Sequence, residues 1–171
     1  MYDWKLFNMR DLWLVNCNTD YGIYLHFDLE VDRDLKNEIS AFLRWIRKNY
    51  KFPVKLNIRI SSEYRVKTYA TNEEVCGTVF FPDSKKYNPI IRIATDDYDF
   101  LIAKQDKFSA GCIILSTIAH EITHYFQWLK DMSDNNKFSE RQATYKSRQI
   151  VNKYLDYCFD AGYPEPFSEY I

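Results

Sequence analysis

His120, Glu121 and His124 stand in the order His-Glu-x-x-His, with Ile122 and Thr123 between them. On a helix, positions four apart share a face, and the two imidazoles lie about 6 Å apart along the axis. Two nitrogen donors at that spacing are prealigned for one metal ion. Glu121 is rotated about 100° from His120, so it ligates the same ion poorly but reaches a water bound to it. Zinc lowers the pKa of such a water from about 15.7 to about 7, and a neighbouring carboxylate accepts the proton as the hydroxide attacks a polarised carbonyl. The pattern assigns His120 and His124 as metal ligands and Glu121 as general base, with one Zn2+ per chain. The plainer alternative is a chance placement of these residues on an exposed helical face. The apolar residues on both sides disfavour it, because ionisable groups on a core helix are costly unless paired or bound to metal.

A catalytic zinc takes three protein ligands and keeps a fourth position open. The extended pattern with a third His or Asp six residues after the second His finds Lys130 there, and Gln127 where its glycine belongs. Asp131 on a continued helix would lie about 10.5 Å beyond His124 along the axis, and Asp134 also follows too closely to return. Glu140 comes sixteen residues after His124, past a polar turn, and has room to return. It falls in the first turn of a following helix, where the macrodipole favours a carboxylate, and Ala143 on the next turn is small enough for close helix packing. A glutamate serving only that dipole is the alternative reading. His26 reads as a surface or packed histidine, and Tyr145 and Tyr154 are two of 14 tyrosines, so neither is assigned as a transition-state donor.

The elements that must position these residues follow from periodicity. Ser109 to Leu129 forms the motif helix, apolar nearly all round in its first half (Ile113, Ile114, Leu115, Ile118, Ala119, Ile122), and so expected in the core. Ser139 with Gln142 resembles a capping box that opens a helix from Glu140 to about Phe159, closed by Gly162 and Pro164. Upstream, alternation at Leu12 and Leu14, at Ile23, Leu25 and Phe27, and over Val54 to Ile60 predicts strands, as do Val66, Gly77 to Phe81 and Ile90 to Ala94. The last two read as a hairpin across a polar loop. Asp32 or Asp34 caps a helix over 35–49 that Phe52-Pro53 follows.

His120-Glu121-x-x-His124 followed by Glu140-x-x-Ala143 resembles the gluzincin metallopeptidases, and among them the minimal, cytosolic ImmA/IrrE-type relatives. The resemblance covers roughly Gly77 to Tyr157. It implies a mixed fold with an active-site helix, a backing glutamate helix and an edge strand along which a peptide lies. It also implies a substrate that in that family is sometimes a single regulatory protein. The chain carries Thr123 where those relatives often have glycine, and Thr144 where they often have asparagine.

The bulk numbers bound the rest. At 171 residues, with 46% hydrophobic and 27% charged, the chain is expected to fold as one α+β zincin-like domain over 1–171. Its architecture is a small N-terminal and central sheet, an active-site helix and a C-terminal glutamate-bearing helix. A formal net charge of −1 offers no attraction to nucleic acid or an anionic membrane surface. The longest apolar run, Cys112 to Ala119, is far short of the about 20 residues that span a bilayer. No secretory signal is expected, and four scattered cysteines (Cys17, Cys76, Cys112, Cys158) read as reduced, mostly buried thiols in a cytoplasmic protein.

These readings converge on a zinc metallopeptidase acting on a peptide or protein, with Ile90 to Thr95 as the strand edge that pairs with extended substrate. A catalytically silent zinc-binding interaction module is the competing reading, and hydrolysis of a non-peptide amide another. Intact Glu121 argues against the module, which has no need of a base. The residues assign no oligomeric state.

Overall fold

Alternating apolar residues put one face of each central strand into the core. In the computed structural model, which describes residues 20–132 and 137–162, the strands are β1 (Ile23–Phe27), β2 (Leu56–Ser61), β3 (Val66–Lys67), β4 (Glu74–Val75), β5 (Gly77–Phe80) and β6 (Ile90–Ala94). The helices are α1 (Arg33–Asn49), α2 (Tyr98–Lys104), α3 (Lys107–Leu129) and α4 (Lys137–Asp160). The described residues thus form a mixed α+β architecture of four helices and a small mixed sheet. None of these helices is long and apolar enough to cross a membrane. The expected strand at Leu12 and Leu14, and Cys17, Asp134 and Pro164, lie outside the described residues.

The sheet order is β1-β2-β6-β5, with β1, β2 and β6 parallel and β5 antiparallel to β6. Leu56, Ile58, Ile60, Ile91 and Ile93 are buried in the shared core. The β5–β6 hairpin forms as expected, in the register Gly77 opposite Ile93 and Phe80 opposite Ile90. The expected edge at Ile90 to Thr95 is corrected: β6 lies between β2 and β5, and the terminal strand beside the motif helix is β5. Alternation reports that a strand has a buried face, not how many neighbours it has.

Asp32 caps α1 by accepting from the Leu35 amide at 2.8 Å, and Leu35, Ile39, Phe42, Leu43 and Ile46 form its buried stripe. Asp106 caps α3 in the same way through the Ser109 amide, so that helix starts two residues before the expected Ser109. Its buried side carries Ile114, Leu115, Ile118, Ala119, Ile122, Tyr125 and Phe126. Ile113, expected in the core with them, is exposed.

Helix α3 ends in a Schellman turn. The Met132 amide donates to the Gln127 carbonyl and the Asp131 amide to that of Trp128, with Asp131 left-handed at φ 56°. This turn stops the helix and begins the chain reversal that returns α4 against α3. Ala143 is fully buried, and α4 already includes Lys137, so Ser139 and Gln142 are inside the helix and form no capping box at its start. Cys158 is buried, but Cys76 is exposed, contrary to the expectation of mostly buried thiols.

Candidate metal centre

His120 and His124 are one turn apart on α3, and their Nε2 atoms approach to 3.1 Å. Glu140, from the first turn of α4, spans the pair: Oε2 is 3.3 Å from His120 Nε2 and Oε1 is 3.3 Å from His124 Nε2. Counting one ligand atom from each residue, the three lie within 4.8 Å of one another. Zinc bonds of about 2.1 Å at tetrahedral angles place ligand atoms about 3.4 Å apart, so the set fits such an ion after little more than a turn of the carboxylate.

The tautomer of His124 follows from its neighbour. The Gln127 Nε2 donates to the Ser139 carbonyl at 3.0 Å and to Gln142 Oε1 at 2.8 Å. A backbone carbonyl accepts only, so the Gln127 amide nitrogen faces α4 and Oε1 faces His124, 2.7 Å from Nδ1. That oxygen also only accepts, so His124 carries its proton on Nδ1. In the neutral ring Nε2 then presents a lone pair to the His120 and Glu140 cluster. Burial, and after it the His124 charge, holds the His120 imidazole below its ordinary range, which favours the neutral form that binds metal. Two imidazole nitrogens and a carboxylate are a donor set suited to zinc.

Glu121 adjoins this cluster at the junction of α3 with β5, its Oε1 beside Gly77, and is only 7% exposed. Burial first, and the Glu140 charge second, push its carboxyl up to about 8. A divalent cation beside it acts in the opposite direction, because positive charge favours the carboxylate. Gly77 makes room for it. A Cβ there would lie 3.2 Å from Glu121 Oε1, 3.1 Å from Ile93 Cδ1 and 2.8 Å from Thr117 Cγ2. The absent side chain is therefore what lets β5 run so close to the motif helix.

The site opens on two cavities that share Gly77, His120 and Glu121. One, of about 680 Å³, runs along β5 and includes Tyr69, Val79, Phe80, Phe81 and Glu140. The other, of about 520 Å³, lies between α3 and α4 and includes Cys76, Cys112, Thr144, Ser147 and Arg148. Together they put a groove on either side of His120 and Glu121.

The expected site residues therefore come together: His120, His124 and Glu140 as one cluster, with Glu121 adjoining. Asp131 does not join them, because its carboxylate pairs with Lys85 Nζ at 2.6 Å on the surface. His26 is on β1 with a side chain 60% exposed, 3.9 Å from Asp28 Oδ1. Tyr145 is exposed, and Tyr154 is buried against Phe42 and Trp45, so neither lines the two cavities. Sequence reasoning passed over Gln127, having considered that position only for a glycine. The available signal was its place three residues after His124, on the same helical face.

No family model matches the chain, and neither a curated protein nor a solved structure matches it. The site therefore rests on its own chemistry.

Proposed function

We propose that this protein is a zinc-dependent peptidase of gluzincin type, with a zincin-like arrangement of edge strand, motif helix and backing glutamate helix. His120, His124 and Glu140 hold one zinc ion, and Glu121 is the general base. The observation that carries this reading is the convergence of two imidazole nitrogens and a carboxylate beside a groove, with a further, separate carboxylate next to them. A structural site would close with a fourth protein ligand, and among the described residues the His, Cys, Asp and Glu cluster stops at three.

Zinc bound there supplies Lewis acidity, acidifying water and polarising the carbonyl to be attacked. The chain's residues do the rest. Gln127 holds the His124 ring in orientation, and Glu140 supplies the negative charge that offsets the cation. Glu121 accepts the proton of the attacking water and can return it to the leaving amine, the acid and base work of a single carboxylate. β5 is one of the sheet's two terminal strands and the one beside the motif helix, so its outer edge suits an extended peptide by strand addition. The scattered cysteines of the sequence support a cytoplasmic setting.

The test is metal analysis of the zinc-loaded wild type and Glu121→Gln, with both incubated against a mixed peptide library. Each should hold one zinc ion per chain, and the variant should lose hydrolysis by about 100 to 10,000-fold, because the amide keeps the shape but accepts no proton. Cleavage by the variant at the wild-type rate would remove Glu121 from the mechanism. Zinc binding with no cleavage by the wild type would favour the interaction module.

A further inference from the structure

The two cavities beside His120 and Glu121 differ in chemistry. Along β5 the walls mix aromatic rings with hydroxyls and carboxylates: Tyr69 packs on Phe80 with ring centroids 4.8 Å apart, and Thr68, Thr78, Glu73 and Glu140 line the same cavity. Between α3 and α4 the only arginine or lysine on the walls, among the described residues, is Arg148. Arg148 is exposed, and among the described residues it forms no ion pair. It lies eight residues after Glu140 on α4, about 12 Å along the axis, and Thr144 and Ser147 of the same helix line the cavity with it.

Strand direction decides which part of a substrate reaches this arm. A peptide added antiparallel to β5, the slightly more stable pairing, enters beside Phe80, passes Gly77 and Glu121, and continues toward Cys76 and Arg148. The residues on the C-terminal side of the scissile bond therefore meet Arg148. At about 3.4 Å per residue, the axial step from Glu140 to Arg148 matches about three or four residues of extended chain, before the reach of the arginine is counted.

We propose that Arg148 is a specificity-determining residue that binds a carboxylate on the C-terminal side of the scissile bond, so that the substrates are peptides acidic on that side. The assignment rests on the peptidase reading above. A guanidinium suits this role, because it pairs with a carboxylate through two parallel hydrogen bonds and stays charged at any physiological pH. The carboxylate is either an Asp or Glu side chain or the terminus of a short peptide, and the two are separable by amidation.

The experiment compares zinc-loaded wild type, Arg148→Lys and Arg148→Glu on a mixed-sequence peptide library prepared with free and with amidated C-termini, cleavage sites being read by mass spectrometry. Asp or Glu should be enriched within three residues after the cut in both libraries if the side chain is bound. Cutting near free termini, abolished by amidation, identifies the terminal carboxylate. For the best peptide found, Arg148→Glu should lower kcat/KM by about 10 to 100-fold, the worth of a charged hydrogen bond, while Arg148→Lys retains part of it. Arg148→Glu should also shift the preference to Lys and Arg. A wild-type preference with no acidic component, or one unchanged in Arg148→Glu, overturns the proposal.

Retention of the same libraries on immobilised, zinc-loaded Glu121→Gln, with and without Arg148→Glu, reads selection without chemistry. If nothing is cleaved but carboxylate peptides are retained only with Arg148 present, the subsite stands and the peptidase reading fails. If retention shows no carboxylate preference, the subsite fails whatever the activity.

Discussion

Gln127 stands 2.7 Å from His124 Nδ1 through its Oε1, while its amide nitrogen holds the Ser139 carbonyl across the helix interface. One buried amide thereby sets the orientation of an imidazole on α3 and ties α3 to the turn of α4 that carries Glu140. Such outer partners of a metal-binding histidine fix its tautomer and raise its basicity.

Gln127→Leu should therefore weaken zinc affinity by about 10 to 100-fold, measured by competition with a chromophoric chelator. Gln127→Glu is the control, since a carboxylate also accepts from Nδ1 although it cannot donate to Ser139. It should recover much of the affinity without recovering all the stability. Equal affinity in wild type and Gln127→Leu would show that the bond does not orient the ligand.

Glu140 and Asp131 separate ligand from bystander. Glu140→Ala should lower zinc affinity by about 100-fold or more, beyond what loss of an outer partner costs. Asp131→Asn keeps a residue type that tolerates the left-handed backbone and loses only the exposed pair with Lys85, so zinc affinity should not change. The opposite ranking in the same competition would mean that Glu140 is not the third ligand.

Gly77→Ala should lower activity without removing the metal. Its Cβ meets Thr117 Cγ2 at 2.8 Å, so β5 or α3 must shift, at a cost of about 1–3 kcal/mol, and Glu121 is displaced with them. Adding Thr117→Ser deletes the methyl in question and should restore part of both the stability and the turnover. Denaturant melts and peptide hydrolysis of the single and double variants check this, and strict additivity would count against the contact.

Lys146 contributes a pH dependence of its own. It is 3% exposed, its Nζ has no hydrogen-bond partner among the described residues, and burial, with Lys153 as a second cause, pulls the amine down to about 8. The unfolded chain titrates this group near its ordinary 10.5. Between about 8 and 10.5 the unfolded state binds more protons at this position, so the Lys146 contribution to stability should rise with pH across that window, against the opposite contributions of Glu121 below about 8 and of Cys158 above its ordinary 9.0, and below the window the full penalty of the buried ammonium applies. Lys146→Met should stabilise the protein at pH 7 by on the order of 2 kcal/mol and flatten that rise. Urea melts at pH 7 and pH 9.5 read both effects, and a variant no more stable than wild type at pH 7 would count against a charge penalty at this position.

The sequence by itself determined what depends on spacing within one element. The four-residue step from His120 to His124 puts their rings on one face of α3, and the alternation at Leu56, Ile58 and Ile60 gives β2 a buried face. Glu140 was within reach of sequence reasoning because chain length and a polar turn alone limit which carboxylate can return. Tertiary structure decided which strand is the edge, because a strand with one buried face shows the same alternation whether it has one neighbour or two. The same holds for Gln127 across the helix interface, for Gly77 against Thr117, and for Arg148 on the wall facing α3. These relationships join residues whose separation in the chain carries no period, so they exist only once the packing of α3, α4 and β5 has fixed the distances between them.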